Sequence, residues 1–176
     1  HILAQLPTTE HAAQGTCRAW RRGWKETLQK RERPRLVVIG SEDTDGEFAR
    51  SMERYDPSTN EWEEEAVAPM PSAQTYVRTA VLDGKLYAAG GMNEAEEATS
   101  NLVERYDLAT TAWEAVALMG TARQEHAVAV LDGKLYAVGG HGGGHLSSVE
   151  RYDPALNAWE AVAPMAAARE GHVMAV

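Results

Sequence analysis

Three polar side chains recur in register: Gln74, Arg123 and Arg169, 49 and 46 residues apart. A guanidinium presents a planar fork of N–H donors that grips a carboxylate through two parallel hydrogen bonds. Two such forks on one surface would suit an acidic ligand. They serve equally well as internal partners for acids of the protein itself, and the sequence leaves both readings open. A second cluster, HGGGH from His141 to His145, sets two imidazoles across a glycine loop. A zinc site needs three or four protein ligands, and no third lies at usable spacing. The triple glycine lacks the Lys-Ser/Thr that completes a phosphate loop. No nucleophile stands beside a base. These residues point to recognition rather than catalysis, with no metal or cofactor expected.

The elements that must hold them in place repeat along the chain. The phrases MERYD, VERYD and VERYD put Asp56, Asp107 and Asp153 at intervals of 51 and 46 residues, and Trp62, Trp113 and Trp159 follow at the same intervals. DGKLYAAGG returns as DGKLYAVGG. A period of about 50 residues built from short strands implies stacked β-units, that is, propeller blades. AVAVLDGKLYAVGG is two apolar runs around Asp132–Gly133, the signature of a type I′ hairpin, and Asp83–Gly84 repeats it. These runs are strands A and B of each unit. VERYD is strand C, and a tight Asp-led turn leads into strand D at WEAVA. In register, the units are B-C-D from Leu36 to Ala68, A-B-C-D from Tyr76 to Ala117, and A-B-C-D from Glu125 to Ala163. A lone A strand is expected over Gly171–Val176.

Strand direction then sorts the loops. If strand A leaves one face of the disc, B returns to it, so the B–C and D–A loops share a face. That face carries the variable segments 41–50, 92–101 and 141–147, among them Asn93, His141 and His145. Loops on a rigid scaffold are where binding concentrates. With strand A innermost, Gln74, Arg123 and Arg169 are expected around the channel mouth, and His126 and His172 near the channel wall. The acidic runs SEDTDGE and NEAEEAT lie on the same face, and would quench the arginines or favour a ligand of mixed charge. Most other repeated residues read as packing: Gly-Gly where backbones crowd, Tyr and Trp between blades, and the Arg and Asp of ERYD as pairs between strands or blades.

The start of the chain follows a different grammar. Ala13, Cys17, Trp20, Trp24 and Leu28 form one apolar stripe at helical spacing. Thr8 or Thr9 can cap this helix, and Pro34 bars its continuation. Ile2, Leu3 and Leu6 read as the tail of an earlier helix. The first residue is His rather than Met, so the true N-terminus is expected upstream. Net charge is −9, split as +5 over residues 1–35 and −14 over the rest. Acidic blades repel phosphates, so a nucleic-acid partner is not expected. No apolar run approaches the ~20 residues that span a bilayer. Cys17 is the only cysteine, so disulfide stapling is excluded and a cytoplasmic or nuclear setting is expected.

The Gly pairs 90–91 and 139–140, Tyr87, Tyr136, the YD pairs and the three tryptophans resemble the Kelch repeat over about residues 35–176. The first Gly-Gly departs from the pattern as Gly40–Ser41. ILAQLPTTEHAAQGTCRAWRRGWKE resembles the C-terminal half of an F-box, whose opening Leu-Pro helix would precede His1. The resemblance implies an all-β fold: a partial Kelch propeller of about three four-stranded blades, one split between the ends, over 35–176, preceded by a short helical segment over 1–34. It implies a substrate-recruiting subunit of an SCF-type ubiquitin ligase. Leu3, Leu6, Cys17 and Trp20 would then lie at the ligase-linker contact or in the F-box core. In related Kelch adaptors, arginines matching Arg123 and Arg169 help hold acidic peptides. Kelch copper oxidases use a cysteine-modified tyrosine within the blades, and Cys17 lies outside them. A non-degradative scaffold is the rival reading, in which the head packs on the propeller. An open arc of blades also leaves sheet faces that invite self-association.

Overall fold

Short alternating strands separated by tight turns build every element of the computed structural model, which describes residues 36–42, 48–63, 68–93, 95–107 and 109–176. The chain divides into two units, His1–Leu36 and Val37–Val176. The elements below form the second, except that Leu36, the first residue of β1, falls in the first. The segment expected to be helical, with Leu3, Leu6, Cys17 and Trp20, lies outside the described residues.

The strands are β1 (Leu36–Glu42), β2 (Phe48–Asp56), β3 (Glu61–Glu63), β4 (Gln74–Thr75), β5 (Arg78–Leu82), β6 (Lys85–Ala89), β7 (Met92–Asn93), β8 (Ala98–Thr99), β9 (Val103–Asp107), β10 (Ala112–Ala115), β11 (Ala127–Leu131), β12 (Lys134–Val138), β13 (Val149–Asp153) and β14 (Ala158–Val162). Three sheets are the blades: β1-β2-β3, β5-β6-β9-β10 and β11-β12-β13-β14. All the registered pairs are antiparallel. The arc is thus a partial propeller. Neighbouring sheets converge at β5 and β11, which makes strand A the inner strand.

Local chemistry accounts for the turns. Asp83, Gly84, Asp132 and Gly133 all have positive φ, as a type I′ turn demands at both central positions. After strand C, the Asp side chain organises the turn into strand D. Asp107 Oδ1 accepts the N–H of Ala109, and Asp153 Oδ1 that of Ala155. The expected pairs of ERYD run between strands of one blade. Arg105 meets Glu114 and Arg151 meets Glu160 across C–D, while Lys85–Asp107 and Lys134–Asp153 bridge B–C.

The core lies between blades. Leu82, Tyr87, Ala89 and Val103 of one sheet, with Met119 of the linker that follows it, pack on Leu135, Ala137 and Tyr152 of the next. Tyr87 and Tyr152 approach ring to ring at 5.7 Å. In the two four-stranded blades the tryptophan of strand D donates to the linker behind it: Trp113 Nε1 to the Ala68 carbonyl and Trp159 Nε1 to that of Ala117, both at 2.9 Å.

Two findings differ from the sequence reading. Gly171–Val176 forms no strand, because a strand needs a neighbour to accept its ladder and no described sheet edge lies beside it. A small third kind of sheet, β4-β7-β8, was not anticipated. Its two-residue strands are too short to show alternation.

Candidate functional site

That small sheet joins the two loop families. In it Gln74 pairs with Asn93 and Thr75 with Met92, so a D–A loop is bonded to a B–C loop. The next blade repeats the contact as single bridges, Gln124 to His141 and His141 to His145. His145 Nε2 lies 3.2 Å from Glu170 Oε1, which ties the 141–147 loop to the following D–A loop. The B–C and D–A loops therefore share one face, and it brings Gln74, Asn93, His141 and His145 onto one rim.

Arg123 and Arg169 take equivalent backbone places on that face. Arg123 N–H donates to the Ser100 carbonyl and its own carbonyl accepts from Gly91. Arg169 does the same with Leu146 and Gly140. Their side chains diverge. Arg169 is exposed. Arg123 is fully buried, which corrects the expectation of an open guanidinium at the channel mouth. Its fork is spent inside the protein: Nη2 donates to Glu150 Oε1 at 2.6 Å and Nη1 to the Gly139 carbonyl at 2.8 Å. Glu150 also accepts the backbone N–H groups of Gly120 and Thr121. This carboxylate therefore pins the linker between two blades.

The preceding blade holds the same position differently. Glu104 stands where Glu150 does and Gln74 where Arg123 does. Glu104 accepts the Ser72 hydroxyl at 2.9 Å, but its other oxygen has no partner among the described residues. Burial pushes its carboxyl above the usual range, against the pull of Ser72. Gln74 is buried as well, so it contributes no exposed group to the rim. These two glutamates were missed in the sequence. The signal was parity: in VERYD the Glu shares its sheet face with the Tyr that fills the space between blades.

Asn93 is engaged locally, its Oδ1 accepting N–H groups of Ala95 and Glu96. His141 is half-buried and His145 exposed, with ring centroids 6.2 Å apart. Among the described residues no group of three His, Cys, Asp or Glu side chains is placed to hold a metal. None of their helices is long and apolar enough to cross a membrane.

His126 is fully buried with both ring nitrogens unpartnered among the described residues. Burial, helped by the nearby charges of Arg123 and Arg78, holds its pKa down to about 3. It is therefore neutral in the folded protein, whereas in the unfolded chain it titrates near 6.5. Between those values the unfolded state binds the extra proton. Stability is then full above pH ~6.5 and falls as pH drops toward 3, by about 1.4 kcal/mol per pH unit at the steepest. Urea titrations at pH 7, 6 and 5 should show this loss, and His126→Phe should flatten it. An unchanged slope in the variant would assign the acid sensitivity elsewhere.

Comparison with known proteins matches this geometry. The chain is 40 % identical over 62 residues to F-box/kelch-repeat protein At1g22040 of Arabidopsis thaliana, covering 34 % of this chain and 13 % of that protein. It is 32 % identical over 100 residues to Kelch-like protein 22 of Rattus norvegicus, covering 55 % and 14 %. To Kelch-like protein terF of Aspergillus terreus it is 37 % identical over 65 residues, covering 35 % and 14 %. The matched stretch is thus a small part of each relative's length. Among solved structures, that titled "Structure of YjhT" superposes with a TM-score of 0.65 at 18 % identity, over 77 % of this chain and 51 % of that one, and so shares the fold. The KLHDC2/KLHL20/DRC7 Kelch-repeats domain matches residues 5–176, and on that match over a blade arc of this construction the chain belongs to the Kelch-repeat family.

Proposed function

We propose that this chain is a protein-binding module that takes its ligand on the B–C/D–A loop face and has no reaction of its own. The observation that carries this reading is the rim itself. Loops of different blades are bonded into one surface with exposed polar groups, His145 and Arg169 among them. Interlocked loops keep their shape, which lowers the ordering cost of binding. With Arg123 internal, recognition falls to the 93–99 and 141–147 loops and to Arg169. Replacing either loop with a Gly/Ser stretch of equal length should weaken ligand capture at least about tenfold, a loss of ~1.4 kcal/mol, while the far-ultraviolet spectrum stays β-rich. Undiminished capture by both loop variants would remove this face from the function.

The finer reading is the substrate-recognition part of an SCF-type ubiquitin ligase in the cytoplasm, with residues 1–34 reaching the ligase linker. It is supported by the CRAW phrase of the head and by the F-box/kelch-repeat relative. The rival, a Kelch scaffold without a ligase link, is favoured by two facts. The Kelch match enters the head at residue 5, and other relatives are named Kelch-like proteins. Binding of the purified chain to the SCF linker protein decides between them. Loss of that binding on Leu6→Asp and Trp20→Ala supports the ligase reading, and absence of binding by the parent chain ends it.

A further inference from the structure

The same joint between blades is built twice, and the acid at its centre finds a counter-charge only once among the described residues. In the second joint Glu150 sits among donors: the N–H groups of Gly120 and Thr121 and the guanidinium of Arg123. In the first joint the linker places Pro71, Ser72 and Gln74 at the matching positions, and Glu104 stands for Glu150.

Two of those donors are thereby lost. Proline has no N–H, so the bond that Gly120 makes to Glu150 Oε2 has no counterpart at Glu104. Gln74 is shorter than arginine and uncharged. Ser72 still donates its hydroxyl to Glu104 Oε1. Among the described residues Glu104 forms no ion pair.

What remains unsatisfied is oxygen. Glu104 is 5 % and Gln74 8 % exposed, and Glu104 Oε2 and Gln74 Oε1 both lack partners among the described residues. A buried carboxylate is costly unless a positive charge or a proton meets it. Turning the Gln74 amide would offer a neutral N–H and no charge. The backbone of the joint repeats as well. Gly139 N–H donates to the Ser148 carbonyl at 3.0 Å and Gly90 N–H to that of Leu102 at 2.9 Å. In the second joint the Gly139 and Ser148 carbonyls also accept Arg123 Nη1. Gly90 and Leu102 present the same two carbonyl oxygens.

We propose that the first joint binds one alkali cation, sodium or potassium, in the place that the Arg123 guanidinium takes in the second, with Glu104, Gln74 and the Gly90 and Leu102 carbonyls as its oxygen ligands. One carboxylate balances one positive charge, which is what Arg123 brings to Glu150. A divalent ion would leave a net charge buried, and magnesium would keep several waters about it. Pro71 is exposed and Ser72 half-buried, so the way in from solvent is short. Gln74 also pairs with Asn93 in the rim sheet, so the ion steadies the loop face as well as the blades. The site itself is independent of any ligand on that face.

The test is urea unfolding of the 176-residue chain at pH 7 in sodium, potassium or choline chloride at one ionic strength. Choline carries the same charge and is too large to enter. Sodium or potassium should raise the urea midpoint above its value in choline. Well above the dissociation constant, each tenfold rise in that ion, with choline withdrawn in step, should raise the folding equilibrium constant about tenfold. Glu104→Gln removes the charge and should lose this response. Gln74→Arg supplies the charge covalently and should lose it too. That variant copies a joint the protein already builds, so it should fold, with its gain in stability largest in choline. Equal midpoints of the parent chain in the three salts overturn the proposal and leave Glu104 to a proton. So does an ion response undiminished in Gln74→Arg, which puts the ion elsewhere.

Discussion

Arg123→Ala will destabilise the arc by about 3–5 kcal/mol, read as a fall in the urea midpoint. The size follows from what the substitution leaves behind. Arg123 and Glu150 side chains are 0 % and 6 % exposed and lie 2.6 Å apart. Removing the guanidinium strands a carboxylate that has been taken out of water, and leaves the Gly139 carbonyl without its donor. The backbone N–H groups of Gly120 and Thr121 soften the loss but carry no full charge. The preceding blade supplies the control, since it places Gln74 at this position. Arg123→Gln should therefore cost less than Arg123→Ala. The mirror substitution, Gln74→Arg, should gain about 1 kcal/mol by giving the unpartnered oxygen of Glu104 a donor. If Arg123→Ala proves neutral while the fold persists, the guanidinium is not a structural clamp and is free for a ligand after all.

Gly90→Ala should be as damaging, costing about 4 kcal/mol or preventing folding. Two penalties coincide. Gly90 has φ +61°, a conformation that costs any residue with a Cβ ~1–2 kcal/mol. The added carbon would also sit 2.3 Å from the Arg123 carbonyl oxygen and 2.8 Å from His126 Cε1. Backbone of the adjoining blade cannot retreat as a side-chain tip can. Gly84→Ala isolates the first penalty, because φ there is +70° with nothing within 4 Å. It should cost only ~1 kcal/mol. Equal effects of the two substitutions on the unfolding midpoint would show that the blades are not pressed together at Gly90.

Turns and blade boundaries were open to reading in the chain because their causes are local. Asp83–Gly84 and Asp132–Gly133 demand the I′ hairpin whatever surrounds them, and an Asp two residues before a free N–H builds its own turn. The shared loop face also follows from strand direction alone. The rim sheet did not follow, since a pairing such as Gln74 with Asn93 depends on where two loops meet in space. Glu104 and Glu150 were hidden for a related reason. A charged residue in a strand reads as solvated until its partners, scattered along the chain, are brought to it.

Arg123 and Arg169 mark the boundary most plainly. Their sequence settings are equivalent, and register placed both on one face, with matching backbone bonds. That much is set by repetition, which acts over a few residues at a time. What each guanidinium faces is decided by the assembled fold. Arg123 is sealed in because Glu150, 27 positions further on, is folded back against it, while Arg169 has no such acid over it among the described residues and is exposed. Burial sums contributions from segments far apart along the chain, so no local pattern could separate the clamp from the exposed cation.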